Sequence, residues 1–464
     1  MNQPTLYNPE SETIPRDQLQ QLQMERLQST LNRVYRNVAF YRASFDAHNV
    51  NLEHVKSIEA LRELPFTTKE DLRKSYPYDM FAVPLRDIVR IHTTSGTTGT
   101  PIVVGYTQND LRSWRQCVAR LLTAAGVTEH DVVQIALHYS LFAAGFGFHR
   151  GAEAVGASVI PASLATAVAR QIVVMRDFKT TVLVSTPSQA QTIAAGLDEA
   201  QVHPERLSLR LGLFAGERWS EPLRRQLEQS LRITSTDTYG PTEVLGPGVA
   251  GECHLRHGLH INEDHFIVEL IDPKTLAPVP AGGEGELVVT TIMKEGFPLI
   301  RYRTGDITKL DFEACPCGRT FVRMAGALRR TDDLVLFRGV GFFPSQIEEI
   351  LAEFEGASSC YQIVLDREAG VDTLEIRVEI SGKIPSVDEV KTLETLRQHI
   401  ARRIQTVLDV EARITLVEPQ RLHPHEEIIP PNLIRIMPAG GMRARQYRRL
   451  PSTGVAFLPM EYTW

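Results

Sequence analysis

Apolar side chains near the start of the chain recur at helical spacing. Over residues 16–46 they include Leu19, Leu27 and Val34, and this pattern predicts one amphipathic helix. Further along, the polar run Thr67-Thr68-Lys69-Glu70 has the composition of a helix N-cap and predicts a short helix directly after it. The pattern therefore predicts that the first 70 residues are mainly helical.

From about residue 88 the pattern changes to short apolar runs that alternate with helical stretches. The runs cover residues 132–137, 157–160, 181–184 and 211–214. The helical stretches cover residues 108–125, 165–178, 188–197 and 221–230. Strand and helix in alternation predict a parallel sheet with helices on its faces.

The apolar runs lie closer together after residue 264, which predicts an antiparallel or barrel-like β subdomain, placed at about 250–325. A boundary is expected near residue 330, followed by a compact α+β unit. The fold predicted is α/β: a large N-terminal domain (1–330) with mostly parallel sheets flanked by helices plus the barrel-like β subdomain, and a small α+β C-terminal domain (331–464). The stretch from about residue 420 is irregular and rich in proline and arginine.

Composition narrows the class of protein. The chain has 464 residues, of which 43% are hydrophobic and 23% charged, so whole-chain disorder is excluded. The formal net charge of −6 argues against a general nucleic-acid binder. No apolar run approaches the ~20 residues that span a bilayer. The start of the chain is polar and acidic and lacks an apolar signal segment, so we expect a cytoplasmic protein.

A Ser/Thr- and Gly-rich loop follows the apolar residues 88–91. Two glycines allow a tight turn, and hydroxyl and N–H groups suit an oxyanion such as phosphate. The ending typical of a Walker loop is absent. The candidate phosphate ligands are Ser95, Gly96, Thr97, Thr98 and Gly99. On its own, a Ser/Thr-rich turn is the less favoured alternative for this loop.

The loop resembles the phosphate loop of the adenylate-forming superfamily of acyl-CoA synthetases, luciferases and adenylation domains. Four further motifs follow in that superfamily's order: Gly216-Glu217, Tyr239-Gly240-Pro241-Thr242-Glu243, Tyr302-Arg303-Thr304-Gly305-Asp306, and Arg330-Thr331-Asp332-Asp333. Within the superfamily the chain is similar to the phenylacetate–CoA ligase family from about residue 15 to 418. The hallmarks are V-V-G-Y-T at 103–107, G-P-G-V-A at 246–250, G-L-H at 258–260, E-D-H-F at 263–266 and F-P-S-Q-I-E at 343–348.

The resemblance implies a role for each motif. Gly216-Glu217 and Tyr239-Gly240 would hold adenine, and Asp306 would bind the ribose hydroxyls. Thr242, Glu243 and Arg330 would be catalytic residues, with Thr242 on phosphate and Glu243 on magnesium. Asp332 would be the hinge of a mobile C-terminal domain. Hard cations prefer oxygen ligands, so a carboxylate at Glu243 suits magnesium. One carboxylate can accept from two hydroxyls, so Asp306 suits ribose. The alternatives are a solvated surface acid at Glu243 and a turn residue at Asp306.

The implied reaction is ATP-dependent activation of an aryl or arylacetic acid as its adenylate, followed by transfer to coenzyme A. The implied cofactors are ATP, Mg²⁺, coenzyme A as acceptor and a structural Zn²⁺. The expected partners are a small aromatic carboxylic acid and coenzyme A or pantetheine, and no nucleic acid or membrane is expected. Whether the protein forms a homodimer is left open. The family places the acid pocket at Tyr139, Phe142, Phe146, Phe214 and Ala215. These residues could also be ordinary core.

Cysteine and histidine spacing predicts a metal site. Five cysteines are too few for a disulfide framework in a chain of this length. Cys253 and His260 form Cys-x6-His, and Cys315 and Cys317 form Cys-x-Cys-Gly, a set that suits closed tetrahedral zinc. Members of the resembled family carry such a site. His254 and His257 compete as ligands, and four reduced buried residues without metal remain the alternative.

One departure from the superfamily pattern concerns catalysis. The superfamily carries a catalytic lysine near the C-terminus, but the last lysine here is Lys391, on a predicted helix. Arg421, Arg435 or Arg443 could supply a cation instead, although arginine differs from lysine in reach and geometry. Two alternatives therefore stay open: an adenylating enzyme that uses another acceptor, such as an amine, carrier protein or reductase partner, and a catalytically impaired nucleotide-binding relative.

Overall fold

The computed structural model describes residues 6–94, 101–139, 141, 143–217, 219–280, 282–326, 329–331, 335–337, 340–342, 344–368, 371–381, 389–408, 410–419, 422 and 434–436. These residues belong to two compact units, one within residues 1–333 and one within residues 334–464.

The helices are α1 (Pro9–Glu12), α2 (Arg16–Asn37), α3 (Ala39–Ala47), α4 (Lys69–Lys74), α5 (Gln108–Ala125), α6 (Ala144–Val155), α7 (Val168–Asp177), α8 (Pro187–Glu199), α9 (Glu221–Leu231), α10 (Pro344–Leu351) and α11 (Glu389–Leu408). The strands of the first unit are β1 (Arg90–Thr93), β2 (Val103–Tyr106), β3 (Val132–Ile135), β4 (Ser158–Ile160), β5 (Val182–Ser185), β6 (Leu211–Ala215), β7 (Thr234–Tyr239), β8 (Ala250–Glu252), β9 (Leu259–Ile261), β10 (Phe266–Ile271), β11 (Gly285–Thr291), β12 (Tyr302–Thr308), β13 (Leu310–Asp311), β14 (Arg323–Met324) and β15 (Arg329–Arg330). Those of the second unit are β16 (Val335–Phe337), β17 (Val340–Phe342), β18 (Ala357–Glu368), β19 (Val371–Ile380), β20 (Arg413–Val417) and β21 (Ile434–Ile436).

The first helical pattern forms two helices where one was predicted. α2 ends at Asn37, and Val38 adopts an extended backbone with φ −112° and ψ 110°. Val38 is fully buried, and the change of direction there allows Tyr41 and Phe45 of α3 to pack into the same core. The predicted helix after Thr68 is confirmed as α4, with Thr68 and Asp71 forming a capping box.

A nine-stranded sheet forms the centre of the first unit, in the order β13-β14-β9-β8-β7-β6-β5-β3-β4. Its strands from β7 to β4 are parallel, which confirms the predicted α/β sheet. β8, β9, β14 and β13 extend it with antiparallel pairing. α5 and α6 pack on one face, and α7, α8 and α9 pack on the other. Both faces are therefore buried, as is usual for parallel strands.

The second sheet of this unit is antiparallel, in the order β10-β11-β12-β15. The sequence predicted one β subdomain over about 250–325, and this prediction is wrong in its extent. β8, β9, β13 and β14 belong to the nine-stranded sheet, because β8 pairs back antiparallel onto β7 and β9 pairs with β8. The described strands of the smaller sheet follow one another in an open order rather than a closed ring.

The second unit has its own core. β18 pairs antiparallel with β19 and β21, and β19 pairs parallel with β20. Buried side chains of α10 and α11, including Ile347, Ile400 and Ile404, pack with Ile363 and Ile376 of the strands. The α+β class predicted for this part of the chain is thereby confirmed.

Candidate active site

The carboxyl ends of three neighbouring parallel strands meet at one edge of the nine-stranded sheet. β5 ends at Ser185, β6 at Ala215 and β7 at Tyr239. In open α/β sheets, ligands bind at this edge. The segment Gly216-Glu217 starts directly after β6, so the structure brings these two predicted adenine-binding residues close to Tyr239.

The Gly216-Glu217 segment is held in place by α8. Gly216 has φ +83°, a left-handed conformation that favours glycine. The Glu217 carboxylate accepts hydrogen bonds from Ser188 N at 3.0 Å and from Ser188 Oγ at 2.6 Å. Burial raises the pKa of Glu217, and the Ser188 hydrogen bonds oppose this rise. Glu217 therefore orients its own backbone segment, and the exposed glycine leaves room for a flat ring.

Gly240 has a structural explanation. A Cβ at this position would lie 1.8 Å from the carbonyl oxygen of Gly246 and 3.2 Å from Pro247 Cα. Only glycine allows the chain after β7 to approach the following turn this closely. Gly240 therefore shapes the acidic turn, which we define as residues 241–247.

Tyr239, Asp306 and Arg330 form a hydrogen-bonded group between the two sheets. The Tyr239 hydroxyl donates to Asp306 Oδ2 at 2.6 Å, and Arg330 Nη1 donates to Asp306 Oδ1 at 2.6 Å. Burial, and then the charge of Asp306, raise the pKa of Tyr239 well above its usual value, so this hydroxyl stays protonated. The carboxylate is thus fixed in orientation by donors on β7 and β15.

Glu243 lies in the acidic turn and is buried. The hydroxyl of Tyr302 donates to Glu243 Oε1 at 2.8 Å. The turn itself is closed by the Pro241 carbonyl, which accepts from the N–H groups of Val244, Leu245 and Gly246 at 3.0–3.1 Å. Thr242 is half-buried in the same turn. The structure therefore places the predicted phosphate and magnesium residues beside the Asp306 group.

The aromatic residues predicted for the acid pocket divide into two sets. Tyr139 and Phe146 are half-buried and meet edge to face, with ring centroids 5.3 Å apart. The His92 ring lies 5.7 Å from Phe146. Ala215 belongs to the core beneath α5 and α6, on the same face as these rings. These three predicted residues remain candidates for the pocket.

Phe214 does not belong to this pocket, so the prediction for it is wrong. Its side chain is fully buried on the opposite face of the sheet, in the core beneath α7, α8 and α9. There it meets Trp219 edge to face with ring centroids 5.2 Å apart. Successive side chains of a strand point to opposite faces, so Phe214 and its neighbour Ala215 cannot both line one pocket.

Several predicted residues lie outside the described part of the chain: Ser95, Gly96, Thr97, Thr98, Gly99, Phe142, Asp332, Arg421 and Arg443. The residues flanking the phosphate loop are described. β1 and β2 pair antiparallel, and Thr94 N donates to Ile102 O at 3.0 Å. The loop therefore connects two paired strands, which bring its two ends together. Arg435 lies in β21, beside Val364 of β18.

The four predicted metal ligands come together. The ligand atoms of Cys253, His260, Cys315 and Cys317 all lie within 4.8 Å of one another, and all four residues are buried. Cys253 Sγ is 4.0 Å from Cys315 Sγ, and Cys317 Sγ is 3.4 Å from His260 Nε2. Tetrahedral zinc at ~2.3 Å from sulfur and ~2.0 Å from nitrogen separates such atoms by roughly 3.5–3.8 Å, so the donor set fits. Among the described residues this group contains His260 and neither His254 nor His257.

The metal cluster lies on the antiparallel extension of the large sheet. Cys253 follows β8, His260 lies in β9, and Cys315 and Cys317 lie between β13 and β14. The hydrogen bond with Cys253 lowers the pKa of the Cys317 thiol, burial opposes this effect, and His260 lowers it further. Thiolate is the form that binds metals.

Two residues near the acidic turn were not assigned a role from the sequence. Tyr302 was seen only as part of a motif, although strand alternation puts Tyr302 and Asp306 on one buried face of β12. Lys294 is buried and donates to the backbone carbonyls of Glu243 and Val244. Its one sequence signal is a lysine directly after the largely apolar segment 287–293.

Comparisons with known proteins show the family of this chain. A family model described as "AMP-binding enzyme" matches residues 19–293, and one described as "AMP-binding enzyme C-terminal domain" matches residues 339–428. The phenylacetate-coenzyme A ligase of Thermus thermophilus is 44% identical over 89% of this chain and 96% of its own length. The chain belongs to the phenylacetate–coenzyme A ligase family of adenylate-forming enzymes. The resemblance stated from the motifs is thereby confirmed.

Other relatives support the same assignment. The phenylacetate-coenzyme A ligase of Escherichia coli is 41% identical over 88% of this chain and 92% of its own length. A crystal structure of 2-hydroxyisobutyryl-CoA ligase, in the postadenylation state with R3-HIB-AMP, has a TM-score of 0.82 at 27% identity and covers 92% of this chain and 91% of that one. The protein is thus an AMP-forming acid–coenzyme A ligase. Among the described residues, no helix is long and apolar enough to cross a membrane.

Proposed function

We propose that this ligase activates a small aromatic carboxylic acid, of the aryl or arylacetic class, and transfers it to coenzyme A. The observation that carries the proposal is the joint placement of Tyr239, Asp306 and Glu243 at the carboxyl edge of the sheet, in a chain 40–44% identical to four phenylacetate-coenzyme A ligases. Alternative acceptors, and a chain without turnover, are not favoured by these relatives.

The chemistry has two steps. The substrate carboxylate attacks the α-phosphorus of ATP, and the bond from that phosphorus to the bridging oxygen breaks, which releases pyrophosphate and leaves an acyl-adenylate. The thiol of coenzyme A then adds to the acyl carbon, its proton is released, and AMP leaves with the carboxylate oxygen. The protein supplies no nucleophile in either step. Its contribution is to position the reactants and stabilise developing charge.

The nucleotide residues are proposed from their placement. Gly216 and Tyr239 would hold the two faces of adenine, and Asp306 would accept from the ribose hydroxyls. The ionised carboxylate of Asp306 has about four lone-pair sites, so it can keep Tyr239 and Arg330 while it accepts ribose. The loop Ser95–Gly99 and Thr242 would contact phosphates.

Magnesium fits the donor chemistry of the acidic turn. Glu243 is the side chain that would hold the ion, because a carboxylate oxygen is the ligand that hard cations prefer. When bound, magnesium neutralises charge on the phosphate oxygens. The hydrogen bond from Tyr302 restricts the Glu243 carboxylate to one orientation before the nucleotide arrives. We also propose a structural zinc at Cys253, His260, Cys315 and Cys317; four protein ligands would leave it no open position for catalysis.

The acid would lie against Tyr139, Phe146 and Ala215. Two rings at right angles and a small side chain suit a flat apolar substrate. The Tyr139 hydroxyl lies 3.2 Å from His149 Nδ1, and this contact holds its ring at the edge of the pocket. An aromatic acid is therefore a better fit than a long aliphatic one.

The experiment is pyrophosphate release with phenylacetate, benzoate and hexanoate, with and without coenzyme A. We expect release with an aromatic acid, and conversion to its thioester only when coenzyme A is added. Pyrophosphate release with hexanoate but with neither aromatic acid would contradict the proposal of an aromatic substrate. If adenylation is slow but a supplied acyl-adenylate is still converted to the thioester, the missing C-terminal lysine is the explanation. The variants Arg421→Ala, Arg435→Ala and Arg443→Ala would then identify any arginine that substitutes for it.

A further inference from the structure

A buried lysine supports the acidic turn from behind. The Nζ atom of Lys294 donates to the carbonyl oxygens of Glu243 at 3.1 Å and Val244 at 2.8 Å. It also lies 4.9 Å from the ring centroid of Tyr106 and 5.3 Å from that of Phe297. Burial of an ammonium group is costly unless its hydrogen bonds are made, so these contacts explain how the site tolerates it. An amine keeps two N–H donors even when neutral, so both bonds can persist in either protonation state.

Other buried donors hold the rest of the same turn. The Tyr106 hydroxyl donates to Leu245 O at 2.9 Å, and Trp114 Nε1 donates to Pro247 O at 2.6 Å. Lys294 is the donor bonded to the carbonyl of Glu243 itself. The turn that carries the proposed magnesium ligand is therefore fixed through its backbone by side chains from other elements.

The segment that carries Lys294 is fixed in turn by α5. The carboxylate of Asp110 accepts from Glu295 N at 2.6 Å and from Gly296 N at 2.9 Å. The same carboxylate forms the capping box of α5 with Thr107. A Cβ on Gly296 would lie 2.8 Å from Gly105 O, so the segment is also closely packed. The start of α5 is thus connected to the backbone of Glu243 through hydrogen bonds at both ends of the segment 294–296.

We propose that Lys294 is a positioning residue for adenylation: by anchoring the carbonyls of Glu243 and Val244, it holds the Glu243 carboxylate where it can bind the magnesium of Mg·ATP. This inference rests on the proposed magnesium role of Glu243. Lys294 acts on the backbone of the turn while Tyr302 orients the carboxylate, so the two residues restrain Glu243 from different sides. A displacement of about 1 Å in a catalytic group can cost about 10²-fold in rate.

The test is Lys294→Met, which keeps the length of the side chain and removes its donors. Equilibrium binding of ATP, measured with and without Mg²⁺, reports magnesium binding independently of turnover. We expect the affinity gain on adding Mg²⁺ to fall by about 10-fold or more, and the KM for Mg²⁺ in pyrophosphate release to rise by a similar factor. Binding of ATP without Mg²⁺, and thioester formation from supplied acyl-adenylate, should change by less than about twofold. Should Lys294→Met fold poorly, Lys294→Leu also removes the donors and gives the same comparison.

The matched control is Gln23→Leu. Gln23 is buried, and its Nε2 donates to the carbonyls of Glu263 at 2.8 Å and Phe266 at 3.4 Å, so it also bonds two backbone carbonyls of one segment. Its loss should lower thermal stability and leave the Mg²⁺ dependence unchanged. An equal Mg²⁺ effect in both variants would show that Lys294 is merely structural.

Glu243→Gln separates the two hypotheses. If Glu243→Gln leaves the Mg²⁺ dependence unchanged, the proposed role of Glu243 is wrong. If Glu243→Gln raises the Mg²⁺ requirement and Lys294→Met does not, the positioning inference alone is overturned. If Lys294 acts through Glu243, the double variant should be no worse than Glu243→Gln within about twofold, because the two changes are then not additive.

Discussion

Asp306→Asn offers a sharp test of nucleotide binding, because it removes one charge and keeps the shape of the side chain. In the free enzyme the carboxylate accepts from Tyr239 and Arg330 at 2.6 Å each. The proposal adds two ribose hydroxyls as donors. Hydrogen bonds to charged groups contribute about 1.5–3 kcal/mol, against about 0.5–1.5 kcal/mol for neutral pairs. A loss of about 1–1.5 kcal/mol per hydroxyl predicts ATP binding about 30- to 150-fold weaker.

The assay is equilibrium binding of ATP and of 2′,3′-dideoxy-ATP to both proteins. Wild type should prefer ATP by a similar factor, and Asp306→Asn should lose most of this preference. The variant should also be less stable, by about 1–3 kcal/mol, because its amide group cannot accept from both Tyr239 and Arg330 as the carboxylate does. Binding of the dideoxy nucleotide as tight as that of ATP in wild type, or an unchanged preference in the variant, would refute the ribose role.

Glu269→Gln is the matched control for a lost buried ion pair. Glu269 lies in β10 of the same antiparallel sheet and accepts from Nε at 3.0 Å and Nη2 at 3.1 Å of Arg301, the residue directly before β12; both side chains are largely buried. This change should lower the free energy of unfolding and leave both nucleotide affinities unchanged. A loss of ATP affinity here would mean that the Asp306 effect reflects a general disturbance of the sheet.

Two further predictions concern metal content and pH. Wild type should contain roughly one zinc per chain, and Cys315→Ser should remove this zinc and lower the melting temperature by several degrees. The control Cys360→Ser changes an exposed cysteine and should alter neither the zinc content nor the melting temperature. Elemental analysis that finds wild type free of zinc would contradict the prediction. Burial, and then the charge of Glu252, raise the pKa of Asp237 to about 7, so between about pH 4 and 7 the folded protein holds a proton that the unfolded chain has released. The free energy of unfolding of wild type, minus that of Asp237→Asn, should therefore fall as pH rises across that range, by at most about 1.4 kcal/mol per pH unit, and level off above pH 7. Urea unfolding in which this difference stays constant or rises with pH would contradict the prediction.

The sequence predicted the parts of the site that depend on local order along the chain. Gly216 could be placed because it follows an apolar run in an alternating strand–helix pattern, and Tyr239 because it begins a motif of the resembled superfamily. The metal ligands could be paired because their spacing matches zinc chemistry. Motifs and ligand spacings of this kind can be recognised in the sequence because each extends over only a few residues.

The remainder depends on contacts between distant segments. Phe214 and Ala215 belong to a strand buried on both faces, so no polar alternation distinguishes the face toward the pocket from the face toward α8. The hydrogen bond from Tyr239 to Asp306 joins residues 67 positions apart, and that from Lys294 to Glu243 joins residues 51 positions apart. Neither pairing has a local pattern. The break at Val38 was missed because helical spacing continues across it.

The central claim is that the carboxylate of an aromatic acid attacks the α-phosphorus of ATP. Phenylacetate labelled with ¹⁸O in both carboxylate oxygens tests it directly, with mass spectrometry of the products formed with ATP, Mg²⁺ and coenzyme A. The account predicts phenylacetyl-CoA together with AMP that carries one ¹⁸O in its phosphate, and unlabelled pyrophosphate. Unlabelled AMP, or ADP with labelled inorganic phosphate, would contradict it.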